Sequence, residues 1–69
     1  MKMLDVVALT NDVSEKQLRR GQVGTVVESL APGVVEVEFC DLDGNTYALC
    51  ALPESNLMVL HHFPDEVAA

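Results

Sequence analysis

In the run VEVEF, Val35 to Phe39, apolar and acidic residues alternate, with a turn signal on either side. A period of two places Val35, Val37 and Phe39 on one face of a strand and Glu36, Glu38 and Cys40 on the other. Pro32-Gly33 before it fits a type II turn, because proline presets φ at the second turn position and glycine supplies a positive φ at the third. Asp43-Gly44 after it marks a second hairpin. The whole stretch from Gly21 to Leu52 therefore reads as strands folded back twice, and half-buried β structure is the only periodicity that it supports.

Two registers are open for the second hairpin. A two-residue Asp-Gly loop sets Val37 opposite Cys50 and Phe39 opposite Ala48, leaving Tyr47 and Leu49 on the face of Glu38. A three-residue loop of Leu42, Asp43 and Gly44, with the glycine left-handed in a bulge, sets Phe39 opposite Tyr47, Val37 opposite Leu49 and Val35 opposite Ala51. The second gathers the large apolar groups on one face, and a slip of one residue would turn every side chain over. The three-residue loop is the preferred expectation. In that register Cys40 and Cys50 lie on the polar face, roughly 13 Å apart at ~3.3 Å per residue, too far for a disulfide. Two free thiols in a reducing compartment follow.

Before the hairpins, LDVVALT (Leu4 to Thr10) reads as a first strand that Asn11-Asp12 ends. In the long connection from Asn11 to Gln22, Ser14 can cap a short helical turn with Gln17 at the reciprocal capping-box position and Leu18 tucked inward. Arg19-Arg20-Gly21 closes that turn, with the glycine left-handed. Gly24, in a second strand from Val23 to Leu30, allows a close approach or a bulge. After the hairpins Pro53 to Asn56 forms one tight turn and Leu57 to Leu60 a short last strand. Five short strands without a long helix predict an all-β fold, a small five-stranded SH3-like barrel with one long loop after the first strand and a single helical turn before the last. Residues 1–63 form the barrel, and residues 64–69 a flexible C-terminal tail.

Charge separates the classes of function. The four basic residues, Lys2, Lys16, Arg19 and Arg20, all precede Gly21, whereas Gly21 to Ala69 holds eight acids and neither lysine nor arginine, for a net charge of −7 overall. That distribution argues against nucleic acid, whose binding needs clustered cations on phosphates, and against anionic membrane surfaces. The acidic residues serve either as a solubilising surface or as a face that steers a basic protein into contact. No apolar run approaches the ~20 residues of a membrane span, and Met1-Lys2-Met3 leads straight into strand-like sequence, so a cytoplasmic protein is expected.

Taken together, LDVVALT, a polar loop ending in RRGQVGTVVE, then VEVEF, DLDGNTYAL and LPESNL resemble a bacterial family of short proteins known as domain of unknown function 4926. The resemblance runs to about Leu60, is most specific in G-x-VGTVVE and VEF, and implies an SH3-like fold without an established activity. GQVGTVVE is also similar to the glycine-valine signature of KOW-type RNA-associated barrels and of a small cyanobacterial NDH-complex subunit that helps dock ferredoxin. Either of those functions would call for basic residues on the barrel, and this chain has none after Arg20.

Chemistry-bearing residues are few. Cys40 and Cys50 lie ten apart and His61 and His62 are adjacent, unlike the closely spaced ligand pairs of zinc sites, and neighbouring strand residues point to opposite faces. A cysteine–histidine catalytic pair needs a cleft and an orienting group that nothing in the sequence indicates. Glu36, Glu38, Asp41 and Asp43 read as a solvated face, with weak divalent-ion binding as the sharper alternative. Arg19 and Arg20 read as a loop tip or as a carboxylate contact. With a single tyrosine, two phenylalanines and no tryptophan, the chain lacks the aromatics of a proline-rich peptide groove. The expectation is a non-catalytic protein-binding module without a cofactor, a monomer or weak homodimer. Glu36, Glu38, Asp41, Asp43, Arg19 and Arg20 would meet a basic protein, in the manner of an antitoxin or immunity protein or an accessory subunit. A KOW-like nucleic-acid barrel and a weak metal-binding protein are the alternatives.

Overall fold

A computed structural model describes residues 1–64; the expected tail from residue 65 onward lies outside the described residues. Five strands, β1 (Val6–Leu9), β2 (Val23–Ala31), β3 (Val34–Cys40), β4 (Thr46–Pro53) and β5 (Leu57–Val59), form one antiparallel sheet in the order β4-β3-β2-β1-β5. The helical content of the described residues is two single 3₁₀ turns, Ser14–Lys16 and Glu54–Asn56. This is the expected five-stranded SH3-like arrangement, a strongly bent sheet whose edges are β4 and β5. No helix among the described residues is long and apolar enough to cross a membrane.

The bending is local and has identifiable causes. Straight pairing back from the Pro32-Gly33 turn would set Glu28 opposite Val37, facing the core. An extra residue at Leu30 turns Glu28 outward instead, opposite Glu36, and a second at Val27 brings Val26 inward opposite Val37 and Gly24 opposite Phe39. Such bulges bend a strand and raise its twist, as closing a small sheet requires. Gly24 lies between β1 and β3, paired with Val7 on one side and Phe39 on the other. A Cβ there would meet Val37 Cγ1 at 2.6 Å and the Glu38 carbonyl oxygen at 2.9 Å, so the close approach read from the sequence is real.

A third bulge corrects the expected register of the second hairpin. The loop itself is the anticipated Leu42-Asp43-Gly44, with Gly44 at φ +85°, the Asp41 N–H donating to the Asn45 carbonyl and Cys40 opposite Thr46. Tyr47 is then an additional residue, and from Phe39 onward the pairing is Phe39 with Ala48, Val37 with Cys50 and Val35 with Leu52. Inward positions on β4 thus fall to Ala48, Cys50 and Leu52, and Leu49 turns outward, 56% exposed. The side chains explain the preference: Ala48 leaves room for the fully buried ring of Phe39, and Leu52 rather than Ala51 fills the space beside Val35. Phe39 and Tyr47 still meet, with ring centroids 6.1 Å apart, but Tyr47 remains half exposed.

The core holds Val7, Leu9, Val26, Val35, Val37, Phe39, Leu52 and Leu57, closed at one end by Val13 and Leu18 from the β1–β2 connection. Those two residues pair as an isolated bridge through reciprocal backbone hydrogen bonds, 2.9 and 3.1 Å. This bridge displaces the expected capping box. Val13, not Ser14, precedes the 3₁₀ turn, no side chain caps it, and Gln17 makes the left-handed exit at φ 58°. Gly21, at φ +90°, belongs to a separate turn in which the Gln22 N–H donates to the Arg19 carbonyl. The first strand is shorter than read, because Leu4 at φ 69° sits in a turn ahead of it. The last strand ends at Val59, although the Leu60 N–H still donates to Val6.

Candidate functional site

Antiparallel pairing lays the acidic residues of β2 and β3 in a row on the outer face of the sheet. Glu28 stands directly opposite Glu36, and Glu38, two residues further along β3, stands opposite Thr25. Like charges in direct cross-strand register are destabilising, so the Glu28–Glu36 pair costs the sheet stability rather than adding to it. On its other flank β4 presents Ala51 beside Glu36 and Leu49 beside Glu38. The Thr46 hydroxyl donates to the Glu38 carboxylate at 2.8 Å and lies 3.6 Å from the Cys40 sulfur.

Asp41 and Asp43 continue the acidic character into the β3–β4 loop in different roles. The Asp41 carboxylate accepts the backbone N–H groups of Asp43 and Asn45, each at 2.9 Å, and closes the loop from within. Donation from the Asn45 N–H, foremost, holds its carboxyl below the ordinary value of 3.8 despite an opposing desolvation effect. Asp43 is exposed, next to Leu42, whose side chain is fully exposed at the tip. The loop is therefore a fixed projection bearing one free carboxylate and one leucine.

Arg19 and Arg20 are not brought to this row. They are exposed in the β1–β2 connection, where their backbone N–H groups donate to the side chains of Gln22 at 2.6 Å and Asp12 at 2.8 Å. The ion pair found among the described residues is between the N-terminal ammonium and Glu54, 3.1 Å, so no cation of those residues neutralises Glu28, Glu36, Glu38 or Asp43.

The two thiols are free, as read, but part company. Cys40 is exposed, whereas Cys50 faces the core, and its burial pushes its pKa up. The expectation that both lie on the polar face fails for Cys50 with the register that produced it. His61 and His62 are exposed beyond the end of β5, and His61 borders an open hollow of about 460 Å³ lined also by Met1, Lys2, Asp5 and Val59. Among the described residues no three His, Cys, Asp or Glu side chains gather where they could hold a metal ion.

Sequence reasoning overlooked Glu28 as a member of this face, and it set aside the two-residue register whose pairings, Phe39 with Ala48 and Val37 with Cys50, place Leu49 beside Glu38. Glu28 and Leu49 are both placed by bulges, which leave no signature in alternation counted from a turn.

The family described as domain of unknown function (DUF4926) matches residues 3–59. The chain belongs to this family. The DUF4926 match takes in all five strands, and the GQVGTVVE segment that marks the resemblance contains the close approach at Gly24, the buried Val26, the bulge at Val27 and the outward Glu28. No curated protein and no solved structure matches the chain.

Proposed function

We propose that this DUF4926 domain is a non-catalytic protein-binding module whose acidic outer face docks a basic protein. The observation that carries the reading is the direct opposition of Glu28 and Glu36, with Glu38 next in line and no cation of the described residues paired to any of them. A cationic partner would relieve that repulsion, and a net charge of −7 would steer it in from a distance. Leu49 and Leu42, exposed beside the carboxylates, supply the apolar contact that electrostatic attraction alone does not give. The partner is a basic protein, which the domain blocks in the manner of an antitoxin or immunity protein or serves as an accessory subunit. The unpaired thiols of Cys40 and Cys50 fit a reducing, cytoplasmic setting, and the family resemblance a bacterial one.

The test is association kinetics with the captured basic partner. E36Q/E38Q/D43N should slow association and flatten its dependence on ionic strength while circular dichroism stays unchanged. Asp41 is left in place because it holds the loop together. Unaltered kinetics would remove the acidic face from the account.

A further inference from the structure

The two edges of the sheet are unequal. β5 offers three residues, whereas β4 offers eight, TYALCALP, with no charged side chain and a proline only at its last position. Exposed edges in natural proteins are kept from pairing by lysines, prolines, short length or a bulge, and along β4 the bulge at Tyr47 lies at the hairpin end. From Ala48 to Leu52 no backbone group of the described residues pairs with the outer side of the edge. Its outward side chains are Leu49 and Ala51, and directly across from them on β3 stand Glu38 and Glu36.

We propose, building on the acidic-face reading, that β4 accepts an extended segment of the basic partner as a sixth strand. Main-chain hydrogen bonds to the free edge give the affinity, and alternate side chains give the selection. The segment alternates cationic and inward-turned apolar residues. Its lysines or arginines lie beside Leu49 and Ala51, two strand spacings or about 9.6 Å from the β3 carboxylates. That is a span that a long cationic stem and a glutamate side chain cover between them, and the methyl group of Ala51 leaves the path to Glu36 open. A second copy of the chain fits less well, because its β4 brings no cation to the row and each copy carries −7.

The experiment titrates the full chain with a peptide of alternating valine and lysine and with an equally charged peptide carrying proline in place of every valine, while amide hydrogen exchange is followed along β4. The account expects the valine peptide to bind at least about tenfold tighter than the proline peptide, with exchange slowed at β4. L49K, confirmed folded by circular dichroism, should lose that preference, and E36Q/E38Q should weaken both peptides. Equal binding of the two peptides with β4 exchange unchanged, still weakened in E36Q/E38Q, would overturn strand addition and leave acidic docking standing. Absence of binding by either peptide at low salt would overturn both. Sedimentation of the free chain as a dimer that L49K dissociates would also overturn the proposal, by assigning the edge to a second copy.

Discussion

Asp41 shows how one side chain can be acidic in composition and structural in role. Its folded-state pKa lies below the ordinary 3.8, so the stability it contributes is fully present above that value and is lost as pH falls through the lowered one. Urea unfolding followed into acid should therefore show a stability decline in the wild type that is shallower in D41N, and equal slopes would contradict the part given to its two backbone hydrogen bonds. Gly24 is decisive in the opposite sense, through what it lacks. Because a methyl group there meets backbone at 2.9 Å and not merely a movable side chain, G24A should lower the unfolding free energy by about 1–3 kcal/mol. A shift of the urea midpoint with an unchanged slope would report it.

At the scale of elements, β2 and β3 tolerate a repulsion that a sheet built for stability alone would avoid. E36Q removes one of two directly opposed carboxylates and should stabilise the domain by about 0.2–1 kcal/mol at low salt, a gain that fades as ionic strength rises. Thermal unfolding at two salt concentrations measures it, and a destabilised E36Q would mean that Glu36 has a supporting contact that the geometry does not contain. The alternation of VEVEF, the Pro32-Gly33 turn and the Leu42-Asp43-Gly44 loop were all legible in the sequence, because each is a local pattern whose physical cause lies within a few residues. The register of β4 was not. It depends on how Phe39, Ala48 and Leu52 share a small interior, and the single extra residue at Tyr47 that satisfies them reverses the faces of Leu49 and Cys50. The same holds for Glu28, which reaches the acidic row only through the bulge at Leu30. The acidic character of the site could thus be read from composition, while the place of Leu49 beside it rested on a choice between two registers that local pattern does not decide.

For the molecule as a whole, size and charge pull in one direction. A chain of 69 residues buries only about 60% of its unfolded surface, which leaves modest stability, and this one also carries a net charge of −7 with its cations confined to the first twenty positions. An uncharged edge strand beside an acidic face is a further liability in isolation, and all three become assets once a basic protein covers them. The most direct measurement is capture from the native cell lysate on the immobilised wild-type chain and on E36Q/E38Q/D43N, each at low and at moderate salt. The account predicts a stoichiometric basic protein held by the wild type at low salt, released as salt rises and absent from the variant. The same proteins retained equally by both chains at both salt concentrations would contradict it.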